Sequence, residues 1–68
     1  LGASIWTQSR EKGEQIASQI EAGVVFINGT VKSDQRMPFG GVKKSGIGRE
    51  LSSYGLKEFV NIKGVTVL

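Results

Sequence analysis

The order of apolar and helical segments in residues 1–28 constrains the fold more than any other feature. Residues 3–7 carry β-forming residues and predict a short strand. Residues 10–22 contain good helix formers, with Ser9 in position to cap the helix N-terminus. Residues 24–28 begin with the continuous run Val-Val-Phe-Ile, which is typical of a strand buried on both faces.

A strand, a helix and a second strand in this order predict a βαβ unit of the α/β class, with parallel strands and a right-handed crossover. Two strands cannot cover both of their own faces, so the unit needs a larger sheet than 68 residues supply. Gly13 costs the helix about 1 kcal/mol relative to Ala, which a close backbone contact would explain. Gly23 follows the predicted helix end, where a positive φ is expected.

The composition limits the chemistry. The chain has no Cys and no His, so disulfides and Ser–His or Cys–His catalysis are excluded within it, and the usual zinc ligands are absent. A Cys-free chain fits a cytoplasmic protein. No apolar run approaches the roughly 20 residues that cross a bilayer, so no membrane partner is expected. The chain starts inside a strand pattern at Leu1 without an initiator Met, as expected of a piece of a longer protein.

Residues 29–48 are polar, basic and rich in Gly, and they predict a long loop before a short helix at residues 49–54. Gly55 is expected to stop or kink that helix. The basic excess of the chain lies here, with a single acid, Asp34, opposing Lys32, Arg36, Lys43, Lys44 and Arg49. A solvated loop and a surface that meets an anion both fit this cluster.

Two ligand-binding interpretations of the loop are weak. Gly46-Ile47-Gly48 begins like a dinucleotide-binding motif, but Leu51 replaces the third Gly and no strand leads into the motif. A small basic nucleic-acid-binding domain would use Phe39 and Tyr54 as stacking platforms, without any recognised RNA- or DNA-binding pattern. A stand-alone structural or oligomerisation module remains an alternative.

Residues 38–50, Pro-Phe-Gly-Gly-Val-Lys-Lys-Ser-Gly-Ile-Gly-Arg-Glu, resemble the C-terminal signature of the aldehyde dehydrogenase superfamily. The resemblance extends to residues 1–7, to Ala-Gly-Val-Val-Phe-Ile-Asn at residues 22–28 and to residues 54–63. It implies that a catalytic Cys attacks an aldehyde, that hydride passes to NAD or NADP, and that a Glu base assists hydrolysis of the thioester.

The resemblance places the nucleophile, the base and the cofactor-binding residues upstream of this segment. No catalytic, cofactor-binding or metal-binding residue is therefore expected here, and the chain by itself is expected to be inactive. Residues 1–58 would form the C-terminal part of the catalytic domain. Residues 59–68 would form an oligomerisation strand in a homodimer or homotetramer. The expected interface residues are Phe59, Val60, Ile62, Val65 and Val67.

Ser33-Asp34 and Asn61-Ile62-Lys63 look closest to bacterial succinate-semialdehyde dehydrogenases. That resemblance implies that Ser33 donates a hydrogen bond to the distal carboxylate of the substrate, with Arg36 in position to assist. The alternative for Ser33 is a turn-forming role beside Asp34.

Two further residues have implied roles. Pro38 restricts its neighbours, which would hold Phe39 as a rigid apolar wall of the aldehyde pocket. Glu50 would be a buried carboxylate on a proton-relay path, or simply a capping charge at the start of the short helix.

Overall fold

The computed structural model describes residues 1–68. Its elements, in chain order, are strand β1 (Gly2–Ile5), helix α1 (Arg10–Ala17), strand β2 (Val24–Ile27), a 3₁₀ turn (Lys43–Ser45) and helix α2 (Ser52–Lys57). The strands pair in parallel, with Gly2 opposite Val24 and Ile5 opposite Ile27. The predicted α/β class and parallel strand–helix–strand unit are confirmed.

Helix α1 begins and packs as its sequence predicts. The Ser9 hydroxyl accepts a hydrogen bond from the backbone N–H of Lys12 at 3.2 Å, which satisfies one free donor of the first turn. Gly13 is buried, and a Cβ there would lie 3.0 Å from Cγ2 of Ile27 and 3.1 Å from Cγ2 of Thr7. The missing side chain therefore lets the helix approach β2 closely.

The end of α1 differs from the prediction. The helix stops at Ala17, not at Ala22. The Ser18 hydroxyl donates to the carbonyl of Gln15 at 2.7 Å. Gln19 N–H then bonds the carbonyl three residues back, so the chain tightens into a turn.

The expected role of Gly23 is wrong. Gly48 is the glycine with a positive φ, at 77°, and Gly23 has none. Gly23 is needed for a different reason, because a Cβ there would lie 1.7 Å from the carbonyl oxygen of Gly40. This close approach joins the start of β2 to the glycine-rich loop.

Helix α2 is displaced from the predicted residues 49–54. Glu50 is held in extended pairing with Phe39, and Leu51 and Ser52 take positive φ values of 65° and 57°. The helix therefore starts only at Ser52. Gly55 lies inside it rather than ending it, and a Cβ there would approach the carbonyl carbon of Glu50 to 2.5 Å.

Residues 61–68 form neither helix nor strand in the single chain. The apolar side chains of residues 59–68 are exposed, at 89% for Phe59, 85% for Ile62, 80% for Val65 and 92% for Val67. An intermolecular strand over residues 59–68 therefore stays a prediction.

The chain buries little of its surface. No hydrophobic side chain is fully buried, and the buried residues are the glycines at 13, 41 and 55. The accessible area is 5866 Å², against about 4,200 Å² for a compact monomer of this mass. The radius of gyration is 15.6 Å, against about 11 Å for a compact domain of this length. Neither helix has the length and apolar character needed to cross a membrane.

The Gly23 contact gives a testable prediction. In the full-length protein, Gly23→Ala should destabilise the fold by about 1–3 kcal/mol, because the added Cβ meets backbone that must move. The measurement is the thermal midpoint at a fixed scan rate. Gly29→Ala is the matched control, since its Cβ would have only an ordinary contact of 3.9 Å with Phe26. Equal midpoints for the two variants would contradict the close approach.

Candidate functional site

The glycine-rich segment forms a closed loop, here called the glycine loop (residues 39–50). Its two ends pair through the backbone, with Phe39 N–H donating to the Glu50 carbonyl at 2.8 Å and Glu50 N–H donating to the Phe39 carbonyl at 2.7 Å. These two bonds form an isolated antiparallel bridge. Phe39 therefore sits at the base of a loop whose ends cannot separate without breaking both bonds.

Arg49 fills the inside of the glycine loop. Its Nη1 donates to the carbonyls of Gly41 at 2.7 Å and of Gly48 at 2.8 Å, in a partly buried position. A Cβ on Gly40 would lie 2.8 Å from Cδ of Arg49, so the side chain runs directly over that glycine. From the sequence alone, Arg49 is predicted only as one of the basic residues of this segment. The available signal was a guanidinium next to glycine-rich backbone, whose carbonyls need donors.

Ser45 fixes the far side of the loop. Its hydroxyl accepts from Val42 N–H at 2.9 Å and donates to the Val42 carbonyl at 2.7 Å. Gly41 is buried, and a Cβ there would lie 2.5 Å from the backbone nitrogen of Gly46. The turn is therefore closed by both backbone crowding and a side-chain hydroxyl.

An open cleft of about 390 Å³ lies against the glycine loop. The residues that give it chemical character are Leu1, Phe39, Arg49, Glu50, Glu58 and Phe59. Phe39 is half-buried and contributes an aromatic surface to this cleft. The arrangement offers an apolar wall backed by a rigid loop, together with a few polar groups, which is the usual make-up of a small-molecule pocket.

The segment before the loop is held by an ion pair. Asp34 accepts hydrogen bonds from the backbone N–H of Arg36 at 2.9 Å, from its Nε at 3.0 Å and from its Nη2 at 2.8 Å. These bonds hold the pKa of Asp34 well below its usual range, and the same pairing raises the pKa of Arg36. The charge of Arg36 is therefore matched within the chain.

The structure separates the expected substrate-binding residues. Phe39 lines the cleft, whereas Ser33 and Arg36 do not. Ser33 is exposed beside the turn that Asp34 closes with Met37, whose N–H donates to the Asp34 carbonyl at 2.9 Å. The substrate-binding role of Ser33 stays a prediction.

Glu50 is exposed in this chain, whereas burial was expected. It also lies before helix α2, whose capping residue is Leu51, and no side chain caps that helix. The backbone pairing with Phe39 keeps Glu50 extended, which explains why the helix starts after it. A place for its carboxylate on a proton-relay path stays a prediction.

Most of the basic cluster is already paired within the chain. Lys43 forms an exposed ion pair with Glu21, Arg36 binds Asp34 and Arg49 binds loop carbonyls. Within this cluster, only Lys32 and Lys44 are exposed cations without an ion-pair partner. This count does not favour a surface that binds a polyanion. No group of three or more acidic, His or Cys residues could hold a metal ion.

The model of the aldehyde dehydrogenase family matches residues 1–65. The chain belongs to this family. It is 57% identical over 67 residues to a probable NADP(+) succinate-semialdehyde dehydrogenase of Synechocystis, covering 98% of the chain and 15% of that protein. It is 55% identical over 65 residues to the NAD(P)+ succinate semialdehyde dehydrogenase Sad of Escherichia coli, covering 96% of the chain and 14% of that protein.

Solved structures agree with this assignment. A structure of Gox0499 superposes with a TM-score of 0.94 at 43% identity, covering 98% of the chain and 15% of that protein. An NAD+ complex of an aldehyde dehydrogenase from Bacillus cereus superposes with a TM-score of 0.81 at 46% identity, covering 93% and 14%. The chain thus spans about 15% of the length of the relatives that it matches.

The Asp34 turn gives a prediction about local order. The pKa of Asp34 is lowered in the fold. The stability that its carboxylate contributes is therefore present above the unfolded-state pKa of about 3.9, and it is lost only as pH falls through the lower folded value. Asp34→Asn should therefore loosen the turn at neutral pH and speed tryptic cleavage after Arg36 by roughly two- to fivefold. Glu21→Gln, which breaks only the exposed pair with Lys43, is the control. The turn is not held by Asp34 if the two variants are cut equally fast.

Proposed function

We propose that this chain is part of an NAD(P)-dependent aldehyde dehydrogenase that oxidises an aldehyde to a carboxylic acid, and that its glycine loop lines the aldehyde pocket. The observation that carries the proposal is the loop itself. Backbone pairing with Glu50 and the Arg49 clamp hold Phe39 against an open cleft. Family membership supports the reaction class.

The chemistry divides between this chain and residues outside it. Phe39 gives an apolar surface that excludes water and holds the aldehyde, while its backbone is fixed by two hydrogen bonds. The chain has no Cys, so the nucleophile must come from elsewhere in the enzyme, and the resemblance to the family implies that the Glu base lies there too. The chain alone is therefore inactive under this proposal.

The glycine loop does not favour a dinucleotide site. It follows extended chain rather than a strand that leads into a helix, so it lacks the junction that presents backbone N–H groups to a pyrophosphate. We therefore assign NAD or NADP to the part of the enzyme upstream of this segment. When bound there, the cofactor supplies the hydride acceptor.

We infer succinate semialdehyde as the substrate. Three relatives above half identity are named for that aldehyde. Ser33 is exposed, so its hydroxyl can donate a hydrogen bond to a substrate carboxylate without adding charge. Arg36 is already bound to Asp34, so in this proposal the hydroxyl of Ser33 carries the contact and Arg36 does not.

We also propose that residues 59–68 add a strand to a neighbouring subunit of a cytoplasmic homodimer or homotetramer. The segment has an apolar, β-branched sequence with exposed side chains, and the backbone of residues 61–68 makes no hydrogen bond within the chain. Such backbone invites strand addition. The same exposure supports the alternative of a stand-alone assembly module. The glycine loop, with its aromatic cleft, favours the enzyme instead.

Ser33→Ala in the full-length enzyme tests the substrate. Loss of a hydrogen bond to a charged group should cost about 1.5–3 kcal/mol of transition-state stabilisation, measured as a lower kcat/KM for succinate semialdehyde. The kcat/KM for an uncharged aldehyde of similar length should not change. Ser53→Ala, another exposed Ser, serves as the control. Equal losses for both aldehydes, or none for either, would remove Ser33 from the site.

Ile62→Pro tests the assembly strand. Proline removes a backbone donor and fixes φ, so the variant should shift the enzyme to a smaller assembly on size exclusion. Ile62→Val is the control, because it keeps both the donor and the β-branched side chain. An unchanged elution volume for the Pro variant would show that residues 59–68 do not join subunits.

A further inference from the structure

The guanidinium of Arg49 hydrogen-bonds backbone carbonyls rather than a carboxylate. Its Nη1 donates to two carbonyls, of Gly41 and Gly48, and no carboxylate lies within ion-pair distance of the guanidinium. A solvated loop gains little from such an arrangement, because water can satisfy the same carbonyls. The two bonds instead tie the start of the glycine loop to its end.

The position of these bonds links them to Phe39. Arg49 adjoins Glu50, and the backbone of Glu50 pairs with Phe39 through bonds of 2.7 and 2.8 Å. On the other strand, Gly41 lies two residues after Phe39, and the intervening Gly40 leaves room for the Arg49 side chain. The guanidinium therefore lies between the two ends of the glycine loop, beside the Phe39–Glu50 bridge.

Little else fixes Phe39 in this chain. No hydrophobic side chain of the chain is fully buried, so there is no apolar core to hold the aromatic ring. The hydrogen bonds that join the two ends of the glycine loop therefore set the position of the Phe39 backbone, from which the ring extends to the cleft. A shift of about 1 Å in such a wall is enough to weaken productive binding of a small substrate.

We propose that Arg49 is a positioning residue for the aldehyde substrate, acting through Phe39. This inference rests on the proposed function, because it takes the cleft beside Phe39 as the aldehyde pocket. Arg49 itself touches no reacting atom in this scheme. Its role is to keep the glycine loop closed so that Phe39 presents a fixed surface.

The test uses the full-length enzyme with four variants. Arg49→Met keeps an apolar stem and removes every donor, whereas Arg49→Lys keeps the charge and donors that can reach a carbonyl. Phe39→Ala removes the wall, and the double variant Phe39→Ala/Arg49→Met shows whether the two residues act together. Lys44→Met removes an exposed cation from the same loop and serves as the control.

Arg49→Met should raise the KM for the aldehyde roughly tenfold, as expected for a lost charge-assisted hydrogen bond, with kcat and the KM for NAD(P)+ little changed. Arg49→Lys should recover part of that loss. In the Phe39→Ala background the Arg49→Met change should have almost no further effect. A merely structural role would instead lower the thermal midpoint and affect both substrates alike.

Two results would overturn the proposal. One is an unchanged aldehyde KM in Arg49→Met, and the other is a full additional loss in the double variant. If Arg49→Met does not fold, Arg49→Lys made with and without Phe39→Ala gives the same comparison. Failure of the proposed function is distinguishable, because then either the unmodified enzyme would oxidise no aldehyde or Phe39→Ala would leave the aldehyde KM unchanged.

Discussion

Two parallel strands cannot bury both of their own faces, and the rest of this chain is arranged around that limit. Residues 24–27 are an unbroken apolar strand, yet each of them is only half-buried. Helix α1 covers part of β2 at close range because Gly13 has no side chain. The remaining apolar surface has no cover within the chain, as the absence of any buried hydrophobic side chain shows.

Polar and backbone interactions therefore define the glycine loop. The Phe39–Glu50 bridge, the Arg49 bonds and the Ser45 turn are all local in space, and none depends on a hydrophobic core. The loop is joined to β2 through the approach of Gly23 to Gly40. A rigid loop of this kind can present an aromatic wall to a pocket whose other walls come from outside the chain.

Elements that depend on local sequence could be predicted. Hydrophobic periodicity predicts the strand–helix–strand order and the parallel pairing. Capping chemistry predicts the role of Ser9. The close packing at Gly13 follows from the stability that a glycine costs a helix. The family could also be inferred, because residues 38–50 carry a long contiguous signature. These features follow from short sequence patterns, even where the partners are distant in the chain.

Features set by contacts between distant residues could not be predicted. Helix α2 starts after residue 51 because Glu50 pairs with Phe39. A Gly is required at position 23 by the nearby Gly40 carbonyl and not by the end of a helix. Arg49 looked like a surface cation because its acceptors are backbone carbonyls, which sequence patterns do not reveal. The extended backbone of Glu50 likewise follows from its pairing with Phe39, a residue that only the fold brings beside it.

The dependence of this fold on apolar cover from outside the chain is measured most directly by amide hydrogen exchange in β2. Val25, Phe26 and Ile27 should exchange at nearly unprotected rates in the 68-residue chain alone. The same amides should be strongly protected in the full-length enzyme, where other elements cover both faces of the sheet. Strong protection of these amides in the isolated chain would contradict that dependence.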